Sequence, residues 1–494
     1  MRPIRKAVSI PLIALTVLAL SAAKPAAKLN QQQQIEHALA RLTYGPRPGD
    51  AAAVERLGLK KWIELQLHPE RIPQDPRLEE RLAKLETLRM KPAEVAAEYP
   101  LPNQQPKPPD PAEQQALRRK LLRATPEERR ALMKQAAPVR TVYYDLAESK
   151  VQRALYSTRQ LEEVLTGFWF NHFNVHFDKG ADRYLVTAYE RDAIRPHVLG
   201  KFGDMLRATA GHPAMLFYLD NWQSVDPEAI RRVTARQRKQ APPKQLATRG
   251  INENYARELM ELHTLGVDGG YTQKDVQEVA RCFTGWTIDQ PRRGGEFVFR
   301  PLLHDPGEKT VLGEKIPAGG GKDDGLKVLD LLAHHPSTAR FISHKLAVRF
   351  VSDNPPKALV DRMAKEFSKT GGDLRAVMKT MLDSKEFWSE EAYRAKVKSP
   401  LEFAISAARA VEADVNYGFG LAEAIGRMGM PLYRKQEPTG YPDSAEEWVN
   451  SSGLLARLNF ATSLAENRLP GVRVDAAKYG SLGQKLGGPE FQKR

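Results

Sequence analysis

The chain has 494 residues, 41% hydrophobic and 27% charged, enough for a substantial core and unlike a disordered chain or a membrane bundle. Its one cysteine, Cys282, excludes an internal disulfide and a multi-cysteine zinc or iron–sulfur site. The 75 Lys plus Arg against 60 Asp plus Glu leave a formal charge of +15, which suits an anionic surface, an acidic polymer or an acidic partner.

Residues 1–23 read as a secretory signal peptide. Arg2, Arg5 and Lys6 precede the apolar stretch Ala7 to Leu20, and Ser21-Ala22-Ala23 supplies small residues for cleavage. That stretch is roughly 14 residues, short of the roughly 20 that span a bilayer; the alternative is an uncleaved anchor. No second long apolar run follows, so no transmembrane span is expected in the mature chain. Export points to a periplasmic or extracellular location and makes a nucleic-acid partner unexpected.

Residues 24–70 read as N-terminal helices of the core. Ile35, Ala38, Leu39 and Leu42 keep helical spacing over Asn30 to Thr43. Gly45 to Asp50 breaks the pattern, with Asp50 placed to cap the next helix. Residues 71–140 read as a Pro-rich, charged helical insertion or extended arm, densest at Pro106 to Pro111. Residues 141–470 form the expected main helical domain, and 471–494 a tail. Within it, residues 229–252 carry seven basic side chains, Arg231 to Arg249, and a Pro242-Pro243 break. They read as an electrostatic docking strip or as a solvated loop.

Helices are expected over Asn252 to Gly266 and Gln273 to Phe283, the second with a Thr272/Asp275 capping box. A small β element falls at about 286–316, with a hairpin suggested by Gly294-Gly295 before Glu296 to Arg300. Further helices are read from Leu326 to Phe350, with a boundary at His334-His335-Pro336, then Lys357 to Phe367, Asp373 to Phe387, Pro400 to Val411, and Ser444 to Leu464. The last is given a Ser444/Glu447 capping box. The fold class is mainly α: a large helical domain with a small β-hairpin insertion.

Three segments carry candidate chemistry. In Phe168 to Phe177, His172 and His176 would share one face of a helix and could hold a metal, yet an aromatic run on every side also suits buried, hydrogen-bonded histidines. In Asn252 to Gly266, Tyr255, Leu259 and Leu262 form a core stripe. Asn254, Glu258 and Glu261 form a polar flank beside Arg257, and His263 points away from Glu261. Glu258 and Glu261 are either acid/base or ligand carboxylates in a cleft, or members of a surface ion-pair ladder. His304-Asp305 sits in a loop after the hairpin, as a ligand pair or a turn. Phosphate-loop, Gly-x-Ser-x-Gly and His-Glu-x-x-His patterns are absent.

Several stretches together resemble a large bacterial family of exported proteins designated domain of unknown function 1800. They are His37 to Pro46, Phe168 to Phe173, His212 to Leu216, Asn252 to Gly270, Ala280 to Trp286, His304-Asp305, His335-Pro336, Lys398 to Phe403 and Gly440 to Asp443. The resemblance covers nearly the whole mature chain. It implies that Asn171-His172, the Asn252–Gly266 helix, Trp286 and His304-Asp305 belong to the family pattern, whereas His176 and His344 do not. It also implies an exported sulfatase-like protein as a partner.

Two functions follow as expectations. One is an exported acid/base or metal-assisted hydrolase of an extracellular or envelope polysaccharide. Glu258, Glu261, His172 and His304 would be catalytic, and Arg257, Asn254, Trp169, Trp286 and Asp305 would bind. A divalent metal would take its ligands from His172, Glu258, His304 and Asp305. The other is a non-enzymatic envelope binding or assembly protein that docks an acidic partner. The first requires His172, Glu258 and His304 to meet at one open cavity.

Overall fold

The computed structural model describes residues 29–101, 124–229, 249–479 and 482–494, with isolated positions at 110, 112, 115, 116, 119, 120 and 231. The segment 1–23 read as a signal peptide, the run 106–109 and most of the basic strip (Arg232, Arg236, Arg238, Lys239 and Lys244) lie outside the described residues. Of that strip, Arg231 pairs with Glu228 at 3.2 Å and Arg249 lies over the Trp222 ring.

The first helices are α1 (Gln31–Leu42), α2 (Asp50–Leu57) and α3 (Leu59–Leu67). Asn30 caps α1 through a reciprocal box with Gln33. Asp50 begins α2 rather than preceding it; its carboxylate accepts from the Arg47 backbone and pairs with Arg409. At the link, Gly45 has φ +99°, and a Cβ there would meet Ser406 at 2.6 Å. Only glycine lets this backbone lie so close to the later helix.

Next come α4 (Pro76–Ala83), α5 (Pro92–Glu98) and α6 (Pro126–Ala136). In this segment, read as a charged helical insertion or an extended arm, Leu78, Leu85, Val95 and Tyr99 are buried, and Val95 and Tyr99 belong to the main core. Polar anchors reinforce this: Asp145 accepts from Thr87 and receives both arms of Arg130 at 2.9 and 3.1 Å. Pro76, Pro92 and Pro126 start helices, where a missing N–H is harmless.

The centre is α7 (Pro138–Tyr156), α8 (Gln160–His172) and α9 (Asp182–Ala188), which runs on through a π-helical turn at Tyr189–Ile194. Around them lie α10 (Phe202–Ala210), α11 (Pro213–Tyr218), α12 (Glu253–Glu261) and α13 (Gln273–Cys282). The expected Thr272/Asp275 box is present. Two hairpins follow: β1 (Trp286–Ile288) with β2 (Phe297–Phe299), and β3 (Lys309–Val311) with β4 (Glu314–Ile316), both antiparallel.

Then α14 (Lys322–His334) and α15 (Pro336–Phe350) meet at the expected boundary, where His335 caps α15 by accepting from Ser337. Beyond are α16 (Lys357–Lys369), α17 (Leu374–Leu382), α18 (Pro400–Ala410), α19 (Phe419–Arg427) and α20 (Ser451–Ala465). The last helix starts at Ser451, not Ser444. Residues 444–450 are held otherwise: Asp353 accepts from the Ala445 N–H, and Asn450 supplies the cap. The segment read as a tail is built in. Val472–Arg473 pairs with Asp414–Val415, and Arg494 is 4% exposed. The fold class is mainly α, as read, with small antiparallel hairpins.

The loop between α19 and α20 is clamped onto α8. Asn171 Nδ2 donates to the Tyr441 carbonyl and Asn171 Oδ1 accepts from the Tyr441 N–H, both at 2.6 Å. Gly440, at φ +72°, makes this approach: a Cβ would stand 2.7 Å from Asn171 Oδ1 and closer to its carbonyl. Gly440→Ala should therefore lower stability by roughly 3 kcal/mol, from strain and crowding together. Chemical denaturation with an unchanged m-value checks it.

Candidate functional site

The residues singled out in sequence fall into three separate settings. His172 closes α8, and His176 lies beyond its end, so the two do not share a helical face. Burial, then Lys345 and His263, hold His172 neutral; its Nε2–H donates to the His263 carbonyl at 3.1 Å. His263 is buried too, pushed down to about 3 by burial and Lys345. Trp169 is fully buried among Phe168, Phe173 and Phe202, its indole bonded to the Val198 carbonyl. The aromatic run makes this segment core, and Trp169 presents no face to a sugar.

The α12 flank is the second setting. Glu258 is half-buried, and burial followed by Glu261 raises its carboxyl. Glu261 accepts from the Tyr271 hydroxyl at 3.1 Å. Arg257 donates to Gln273, which in turn donates to Glu253, so the flank fastens α12 to α13. Asn254 is exposed.

The third setting surrounds His304. His304 Nδ1 donates to the Thr284 carbonyl at 2.8 Å, and Nε2 meets Asp324 Oδ2 at 3.1 Å. Lys309, fully buried, lies 2.6 Å from the same oxygen. Asp305 is gripped by Arg281 at 2.7 Å and caps a turn to Gly307. Trp286 packs on Phe283 and Phe297 with 2% exposure. Cys282, beside this cluster, is buried, and burial pushes its thiol up to about 12. These groups knit the hairpins to α13 and α14. Among the described residues, no group of three or more His, Cys, Asp or Glu side chains is arranged to hold a metal ion. His172, Glu258, His304 and Asp305 thus do not form one ligand set.

A different constellation gathers where α1, α15, α18 and the C-terminal segment meet. Ser399 and Glu402 form a capping box at the start of α18, using Glu402 Oε2. That leaves Oε1 for Arg349 at 2.7 Å and Arg494 Nε at 3.1 Å. Burial alone would raise Glu402, but Arg349 and Arg494 hold it down to about 2. Arg349 also reaches Asp443 at 3.4 Å. Arg41 is completely buried, bonds the Val351 and Ala392 carbonyls, and leaves Nε and Nη1 without a hydrogen bond. Lys398 lies 3.6 Å from the Phe491 ring centre, and burial pushes its amine down to about 7. Arg349 and Arg494 thus share the carboxylate of Glu402, Arg349 also reaches Asp443, and Arg41 and Lys398 lie buried close by.

This cluster borders a cavity of about 540 Å³ between α1, α18 and the C-terminal segment. Lys398, Arg494, Arg394, Lys493, Lys485 and Arg47 line it, facing Glu36, Glu402 and Glu490. A smaller cavity of about 80 Å³ lies on the other side of Tyr44 and Glu402, lined also by Lys150, Gly167, Asn171, Arg349, Tyr433 and Asp443. Neither His172, Glu258 nor His304 lines either cavity.

Sequence reading missed these residues as a site. Tyr44, Lys398, Glu402 and Asp443 stood in the motifs that carried the resemblance, without a role. The available signal was charge inside apolar helices: Lys150 in α7, Arg349 in α15, and Ser399-Pro400-Leu401-Glu402 as a capping box beside a lysine.

Fold and site together define a mainly helical protein with buried cations around an open cavity. The chain matches, over residues 37–493, the family described as "Protein of unknown function (DUF1800)", and belongs to it. No curated protein and no solved structure matches the chain.

Glu402→Gln should cost about 3 kcal/mol or more, because it leaves Arg349 and Arg494 buried without their shared anion. The native carboxyl lies below its ordinary value, so its contribution is present above the usual carboxylate range near 4.5 and fades as pH falls through about 2. Acid unfolding of the wild type and variant should therefore converge at the lowest pH, as read by circular dichroism.

Proposed function

We propose that this protein is an exported binding protein for an acidic ligand, and that the ligand's anionic group sits in the cavity between α1, α18 and the C-terminal segment. The observation that carries this reading is the excess of buried cations over carboxylates beside an open, 540 Å³ space. Buried charges are stable when paired, and Arg494, which lines the cavity, still carries N–H groups without hydrogen bonds. An anion entering from the cavity would supply the missing acceptors. The overall charge of +15 favours its approach. Binding ranks ahead of hydrolysis because His172, Glu258 and His304 occupy three different settings. An acidic polymer or acidic protein surface outside the cytoplasm is the natural ligand class.

Lys398 makes the reading testable. Its amine titrates at about 7, so a bound anion should draw a proton onto it near pH 8. Calorimetry with inorganic sulfate and with polygalacturonate, in buffers of different ionisation heat, should register proton uptake. Affinity should weaken as pH rises through 7 and as salt increases. Lys398→Met should lower affinity roughly tenfold or more and abolish the uptake. Binding indifferent to this substitution, or absent for both probes, defeats the proposal.

A further inference from the structure

The smaller cavity is built around Lys150. This lysine lies on α7, where apolar residues surround the helix, and is 5% exposed. Its Nζ makes no hydrogen bond; the nearest carboxylate oxygen, Glu190 Oε2, is 3.6 Å away. Glu190 is already engaged. The Tyr433 hydroxyl donates to Oε2 at 2.7 Å, and Arg195 reaches Oε1 at 3.4 Å. Arg195 also clasps Glu163 at 2.9 and 3.0 Å. The π-helical turn at Tyr189–Ile194 sets Glu190 in this place; such turns are frequent at functional sites.

Beside Lys150 stands the Tyr44 hydroxyl, whose one protein contact is the Glu163 carbonyl at a long 3.4 Å. Burial raises the Tyr44 pKa, so the phenol keeps its proton and can donate it. Both groups face the gap left by Gly167: a Cβ there would lie 3.1 Å from Tyr44 Oη and 3.5 Å from Lys150 Nζ. The rest of the lining includes the apolar Val164, Phe168 and Leu401 together with the paired charges of Arg349, Glu402 and Asp443. The volume of about 80 Å³ admits a molecule of a few heavy atoms.

We infer that this cavity is a second binding site, separate from the basic one, for a short aliphatic carboxylate. The carboxylate would lie between Lys150 Nζ and Tyr44 Oη, and its alkyl end would meet Val164, Phe168 and Leu401. An ammonium with unused N–H donors and a neutral phenol match the two acceptor oxygens of a carboxylate. The volume excludes the acidic polymer proposed for the larger cavity, so the two sites can be tested apart.

The test is thermal unfolding and calorimetry of the intact protein with formate, acetate and propionate, and with inorganic sulfate as the probe of the larger cavity. Acetate at about 10 mM should raise the Tm of the wild type. Lys150→Met and Gly167→Ala should each weaken acetate roughly tenfold or more while leaving the sulfate response unchanged. Gly167→Ala keeps every charge, so it carries the comparison if Lys150→Met does not fold. A crystal soaked in acetate should show the carboxylate between Lys150 and Tyr44. A wild type that ignores all three acids, variants that respond like the wild type, or water alone in the soaked cavity would each overturn the inference. A wild type that shows no acetate effect but still binds sulfate defeats this site and spares the other.

Discussion

Burying Glu402 among arginines is the interaction on which the rest of this structure depends. One carboxylate serves three elements. Its Oε2 closes the cap of α18, and its Oε1 joins Arg349 of α15 to Arg494 of the C-terminal segment. An ion left unpaired in such a place costs several kcal/mol, so the three elements must arrive together. Arg409 repeats the device one layer away. It bonds the Gly45 carbonyl at 2.6 Å and the Leu155 carbonyl at 2.7 Å, fixing the link after α1 against α18 and α7. The small and large cavities are the two sides of this charged wall, which explains why both share Tyr44 and Glu402.

The other polar clusters do different work. Lys309 and His304 both meet Asp324 Oδ2 with almost no exposure and hold the two hairpins to the helices. His172 and the backbone of His263 join α8 to the turn after α12. These are internal fastenings between elements with little regular backbone pairing between them. What separates them from the cavity cluster is the balance of charge. Around His304 the cation and carboxylate are matched, whereas around Glu402 cations outnumber carboxylate side chains and face an opening.

Most helices were legible because apolar residues recur at helical spacing and capping residues stand at their starts. Asn30, Thr272 and the His335-Pro336 boundary are examples. The start of α20 was misread because Ser444 and Glu447 make a good local box, while Asp353 and Asn450 compete for the same backbone from outside that window. In residues 71–140, read as a charged helical insertion or an arm, Pro76 and Pro92 each begin a helix. The metal pair His172 and His176 failed although the period was right, because the helix ends at His172.

By itself the sequence determined the helical class, most element boundaries, the family pattern, and the fact that a strongly basic chain carries one cysteine and no common catalytic signature. Periodicity, caps and composition are local properties, and a single strand of text records them. The tertiary structure alone decided which charged residues are buried together. Tyr44, Lys150, Arg349 and the Lys398–Glu402 segment stand far apart in the chain, and no one window shows that they meet. Burial gives them meaning, because the strength of a charge and its need for a partner are set by the dielectric around it, and that exists only once the chain has folded.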